Sequence, residues 1–192
     1  MDRNNHWCIS TSSYDRGLQH LLEMWLDVKK EVPDAELHIF YGWTLFDQFY
    51  HDNPSSMQWK EKMEAMMKAD GVTHHGRVSQ PEIEEWYKKC GIWAYSTHFG
   101  EINCISALKA QCWGAIPVVT NWAALQTSVK WGKKVDGDIY EPETKEAYKK
   151  ALIEALKDEK WQEETRREMM PEAKKLFSWE KVAESWDEEF RR

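Results

Sequence analysis

The spacing of apolar and polar residues changes several times along the chain, and each change marks an element. Residues 6–11 hold Trp7, Cys8 and Ile9 in one short run, suited to a buried strand. The run breaks at Ser12, Ser13, Tyr14 and Asp15, a turn and helix-start signal. From Arg16 the apolar positions are Leu18, Leu21, Leu22, Trp25, Val28 and Val32, the period of a helix with one buried face, ended by Pro33 and Asp34. Leu37, Ile39 and Tyr41 then recur every second residue, so residues 35–41 are predicted as a strand stopping at Gly42. A short aromatic helix over 43–50 and a longer one over 55–69, after Pro54, follow. Residues 71–78 read as a strand and 80–90 as a helix starting near Pro81. Then come an apolar run at 92–95, a loop at 96–101, and a helix from about Asn103 to Trp113 with Gly114 as its left-handed cap. Residues 116–120 form an almost unbroken apolar strand.

Strands alternating with helices in this way predict right-handed βαβ units and a parallel, doubly wound sheet covered on both faces. The fold class is therefore α/β, in three layers, as one domain. The last 50 or so residues differ. Residues 143–157 and 160–170 are charged helices, and Trp179, Val182, Ala183, Trp186 and Phe190 form a further amphipathic stripe. A C-terminal helical tail follows, with ordinary core packing expected for Trp179.

Composition narrows the picture. A length of 192 residues suits one domain, and 42% apolar against 31% charged residues supports a packed core. A formal net charge of -7 argues against gripping nucleic acid or anionic lipid. No apolar stretch of roughly 18 residues occurs, and the start MDRNNHW has no hydrophobic signal region, so a soluble cytoplasmic protein is expected. Twelve Trp provide large, rigid packing surfaces. Cys8, Cys90, Cys104 and Cys112 form no Cys-x-x-Cys pair, and His74 and His75 have no ligand partner at zinc-like spacing. Free buried thiols and no metal site are expected.

In an open parallel sheet, ligands gather at the carboxyl ends of strands near the switch in strand order. The loops to search are therefore 10–17, 76–79 and 96–106. In the last, Gly100 turns the chain and a helix start near Asn103 offers amides and a positive dipole end to a phosphate or carboxylate. Glu101 can accept hydrogen bonds from sugar or ribose hydroxyls; equally, Asn103 can simply cap the helix and Glu101 favour its dipole. Arg16 at a helix start opposes the dipole, which fits anion binding or a solvated side chain. Ser12 and Ser13 suit turn formation as well as ligand contact.

Together these loops resemble the C-terminal, nucleotide-sugar-binding domain of GT-B glycosyltransferases, family 4, the glycosyl transferases group 1 type. The motifs run along nearly the whole chain: Arg16-Gly17, then Val32-Pro33-Asp34-Ala35-Glu36-Leu37-His38-Ile39-Phe40-Tyr41-Gly42, then Gly76-Arg77-Val78. Ser96, Glu101, Ala107-Leu108, Ala110, Gly114 and Pro117-Val118-Val119 follow in family order, and Phe177-Ser178-Trp179-Glu180 before the last helix.

The resemblance implies a Rossmann-like domain with a donor site for a nucleoside-diphosphate sugar, and retaining transfer without a bound metal. Arg16 matches the basic residue that neutralises the diphosphate, and Glu101 the first carboxylate of the Glu-x7-Glu motif that holds the sugar hydroxyls. Ser12 and Gly17 lie in the first donor loop. Amides around Ile102, Asn103, Cys104 and Ile105 would contact the distal phosphate, and Arg77 and Val78 lie where the family binds the base. Three positions depart from the pattern. The second Glu is Lys109, the first basic residue of the phosphate pair is replaced near Thr11, and a later Glu is Thr127. Lys109 can reach a phosphate, mark a weakened site, or be a surface residue. The resemblance also implies a separate N-terminal, acceptor-binding domain as partner, across whose junction the final helix would pack. The alternatives are a non-catalytic interaction module of the same fold and another doubly wound enzyme, such as a nucleotide-sugar epimerase.

Overall fold

A computed structural model describes residues 3–191. The chain starts with β1 (Asn4–Ser10), buried over its last three residues. A 3₁₀ turn (Tyr14–Arg16) and Gly17, in the left-handed conformation, deliver it to α1 (Leu18–Glu31). Arg16 therefore ends the 3₁₀ turn rather than opening the helix: Gly17 at φ 114° interrupts the helical backbone between them. Next come β2 (Glu36–Phe40), α2 (Thr44–Tyr50), α3 (Pro54–Met66), β3 (Val72–Gly76), α4 (Gln80–Lys89) and β4 (Cys90–Tyr95). Asn53 and Ser79 cap α3 and α4 with their side chains, each followed by a proline in the first turn. After α5 (Ile105–Trp113), Gly114 adopts φ 90° as the expected left-handed stop.

Beyond β5 (Ile116–Thr120) the chain forms a single turn, α6 (Leu125–Ser128), and a three-residue edge strand, β6 (Lys133–Val135). Periodicity did not reveal β6, because three residues with two lysines carry no alternation to read. The remainder is helical: α7 (Pro142–Lys157), α8 (Glu159–Leu176) and α9 (Trp179–Phe190). The helix expected to end at 170 continues through Pro171 to Leu176.

All strand pairs are parallel, in the order β3-β2-β1-β4-β5-β6. Both sheet faces are covered, and neighbouring residues on a strand serve opposite cores. Cys8, Ile92 and Val118 pack among residues of α1 and α7, whereas Ile9, Trp93 and Val119 pack among residues of α4 and α5. That double burial explains the unbroken apolar runs of β4 and β5. The four cysteines are free, and three of them are buried. Among the described residues, no helix is long and apolar enough to cross a membrane.

The tail overturns one expectation. Trp179 is 84% exposed, and Trp186 and Phe190 on the same helix are also exposed, so α9 has an apolar stripe but contributes no buried residue. An amphipathic period shows that a face is suited to burial; whether anything lies against it depends on the rest of the fold.

Candidate functional site

Strand order reverses between β1 and β4, which opens a crevice at their carboxyl ends. The two loops flanking it are locked together. A Cβ built on Gly17 would fall 2.0 Å from the Ser96 carbonyl oxygen, so only glycine permits this approach. The Ser96 hydroxyl in turn donates to the Gly17 carbonyl at 3.2 Å. On the other flank, the Thr97 amide donates to Thr120 Oγ1 at 3.0 Å, and that hydroxyl donates to the Thr97 carbonyl at 2.5 Å. The loop after β4 is thus fixed to the ends of both neighbouring segments.

This framework brings Arg16 and Glu101 together from positions 85 residues apart. Arg16 Nη1 lies 3.4 Å from Glu101 Oε1, and the guanidinium sits 4.0 Å from the centre of the Phe99 ring. The Tyr95 hydroxyl donates to the same Oε1 at 2.8 Å. Burial, reinforced by the neighbouring Glu101 carboxylate, pushes the Tyr95 hydroxyl pKa well above its usual value, so it stays a donor. The Ala124 amide holds the Glu101 carbonyl at 3.1 Å. The Glu101 side chain is only 11% exposed, against 37% for Arg16. Glu101 is therefore a fixed acceptor, and Arg16 a cation at the mouth whose five N–H donors can meet both the carboxylate and an arriving anion.

Next to this pair is a cleft of about 390 Å³ lined by Tyr41, Arg77, Val78, Ile105, Ser106 and Lys109, among others. Sequence-predicted residues from the second and third loops meet here. Two of the departing positions are tied into its walls. Lys109 Nζ donates to Gln80 Oε1 at 2.7 Å and lies 3.3 Å from Glu84 Oε1; the Thr11 hydroxyl is 2.7 Å from that of Tyr87. Ser12 and Gly17 line a narrower recess with Ser10 and Ser96.

The loop ahead of α5 differs from expectation. The helix begins at Ile105 with Cys104 in the capping position, so Asn103 does not cap it. Ile102 is 96% exposed, and Ile102 and Asn103 both lie on the open surface. Cys104 is buried, and burial lifts its thiol pKa to about 11, so the thiol stays protonated. Thr127 Oγ1 donates to the Ala124 carbonyl within its own turn. Sequence reasoning missed Tyr95, Phe99 and the Thr97–Thr120 clasp. Tyr95 ends an apolar strand and reads as core, and a clasp between residues 23 apart has no local signature. Among the described residues, no group of three or more His, Cys, Asp or Glu is arranged to hold a metal ion.

An all-parallel doubly wound sheet, with an arginine–carboxylate pair and a cleft near its switch point, defines an open α/β domain of the kind that places ligand sites at the carboxyl ends of its strands. The glycosyl transferases group 1 family model matches residues 4–176, and the chain belongs to that family. Its fold is the Rossmann-like GT-B domain. It is similar to the pneumococcal O-GlcNAc transferase GtfA, solved with UDP and GlcNAc (TM-score 0.74, 15% identity, 97% of this chain and 35% of that one). It is similar to Anabaena Alr3699/HepE, solved with UDP and glucose (TM-score 0.72, 14% identity, 96% of this chain and 49% of that one). It also resembles the catalytic domain of the Helicobacter pylori cholesterol-alpha-glucosyltransferase (TM-score 0.61, 17% identity, 87% of this chain and 96% of that domain). The chain thus spans between about a third and a half of the first two proteins. No curated protein matches it by sequence.

Proposed function

We propose that this domain binds a nucleoside-diphosphate sugar at the β1/β4 crevice and acts as the donor half of a retaining glycosyltransferase. The observation that carries the reading is the Arg16–Glu101 pair, set by the loop clasp beside an open cleft. Arg16 and the first amides of α5 offset charge developing on the leaving diphosphate, so this reading requires no metal. Glu101, oriented by Tyr95, accepts from sugar hydroxyls, and Arg77 and Val78 border the space for the nucleotide base. The neighbours' complexes with UDP and sugars agree with this ligand class. The acceptor is held mainly by a second domain, and α9, with Trp179, Trp186 and Phe190 uncovered, is the surface for that domain. Calorimetric titration of the chain with UDP, GDP and ADP tests the donor site: saturable binding of at least one, weakened by Arg16→Ala, is expected. Absence of binding by all three, or indifference to Arg16→Ala, rejects it.

The degenerate-module reading is favoured by one observation, the engagement of Lys109 by Gln80 and Glu84 where the family has a carboxylate. The single change Lys109→Glu would set two carboxylates against each other, so the informative variant is Lys109→Glu with Glu84→Gln. A marked gain in nucleotide affinity identifies an altered but functional donor site; no gain, together with no binding by the parent chain, favours the module.

A further inference from the structure

A second cleft, of about 370 Å³, opens on the other side of the Tyr14–Arg16 turn. Asp15 and Gly17, flanking Arg16 in the chain, form part of its wall, so it adjoins the proposed reacting end of the donor site without belonging to the Arg77–Lys109 cleft. Its character is aromatic. The Phe46 ring centre is 4.9 Å from that of Tyr50 and 5.3 Å from that of Trp59, and Trp59 Nε1 donates to Gln19 Oε1 at 2.7 Å, which fixes the indole. Elsewhere on the lining, Tyr140 sits 4.7 Å from His20 and 4.5 Å from His98. Tyr50 and Tyr140 are 43% and 60% exposed, large rings left open to solvent at the cleft.

The polar groups show what kind of ligand suits these rings. Gln19, Ser55 and Ser56 supply uncharged donors and acceptors, and the only formally charged lining side chain among the described residues is the carboxylate of Asp15. Burial lowers the His20 pKa, so that ring is neutral near pH 7. Its Nδ1 has no hydrogen-bond partner, Glu23 Oε2 being 4.0 Å away. Along this lining a phosphate or carboxylate would meet an anion and no cation. A pyranose ring presents apolar C–H faces to aromatic rings and hydroxyls to amides, serines and a carboxylate.

We infer that this cleft binds a neutral sugar ring, as an acceptor-side subsite carried by the donor domain itself. The acceptor assignment rests on the donor reading above; the sugar-binding assignment stands on the cleft alone.

Nuclear magnetic resonance on the isotopically labelled chain tests it, using the methyl glycosides of glucose, galactose, mannose and N-acetylglucosamine, with glucuronate as the anionic control. At least one neutral glycoside should shift the Trp59 indole and Gln19 signals with a dissociation constant on the order of millimolar. Tyr50→Ala and Tyr140→Ala, both at exposed positions, should each weaken that binding about fivefold with the urea midpoint unchanged. UDP should bind these variants as it binds the parent chain. The inference is overturned if no glycoside shifts these signals, if both variants bind unchanged, if glucuronate binds equally well, or if the shifts fall at Arg77 and Lys109. Sugar binding without UDP binding would reject the donor reading and leave the sugar cleft standing.

Discussion

The two sides of the β1/β4 crevice are built differently. On the Arg16 side the backbone is clamped: Gly17 touches Ser96, Thr97 and Thr120 exchange hydrogen bonds, and Tyr95 and Arg16 converge on one oxygen of Glu101. On the Lys109 side contact is made by flexible side chains, Lys109 to Gln80 and Glu84, above an exposed Arg77. A clamped side holds its charges in place before a ligand arrives, which lowers the ordering cost of binding. A side made of lysine, glutamine and glutamate must be rearranged by the ligand. Specificity for the charged part of a donor is therefore expected from the first side, and tolerance of change from the second.

The largest expected effect breaks the clamp. Gly17→Ala adds a Cβ 2.0 Å from the Ser96 oxygen at φ 114° and should cost more than about 3 kcal/mol in urea unfolding. Gly76→Ala, at φ 69° with nothing within 4 Å, should lose only the left-handed backbone cost of about 1–2 kcal/mol. Equal losses would mean the clamp adds nothing. Next, Arg16→Ala should weaken nucleotide binding by about 2 kcal/mol, roughly 30-fold, while Lys109→Ala changes it less than about threefold. Calorimetry decides between them, and the reverse order would move the charge recognition to the other side. Tyr95→Phe, which removes a donor to Glu101, should cost about 1 kcal/mol of stability.

A smaller effect concerns the aromatic wall behind the second side, where His38 packs against Trp7, Trp86 and His75. Burial, aided by His75, lowers the His38 pKa from 6.5 to about 4. Below pH 6.5 the unfolded chain takes up a proton that the folded ring refuses until about pH 4, so stability should fall as pH drops through that window. Denaturation midpoints between pH 7 and 4 should show this slope, flattened in His38→Gln; His20, His74 and His75, lowered in the same sense by burial, leave a residual slope. Last, Trp179→Ala should change the stability of this chain by less than about 0.5 kcal/mol, since the ring is 84% exposed. A larger loss would mean that α9 packs where the structure shows it bare.

Much of the architecture was legible because it rests on local rules. Leu18 to Val28 reads as a helix since its stripe repeats at helical spacing, and Gly114 reads as a stop because φ 90° is cheap only for glycine. The candidate residues could be named one by one, but their geometry could not. Arg16 and Glu101 stood out in their loops, yet the sequence could not show that they meet, or that Tyr95 orients the carboxylate between them. Asn103 has the right chemistry for a cap, but the backbone turns one residue too late and leaves Cys104 there.

By itself the sequence determined the order of all the strands but β6, the alternation with helices, the α/β class and the family, since periodicity, turn residues and motif order are properties of neighbours along the chain. Only the tertiary structure decided which amphipathic faces are covered, with α1 buried and α9 bare, and that Lys109 is held by Gln80 and Glu84. It alone placed aromatic residues from α2 and α3 around a cleft beside Arg16. The physical reason is the range of the interactions. Backbone preference and spacing act over a few residues, whereas burial and charge pairing depend on which distant segments the sheet topology brings within a few ångströms.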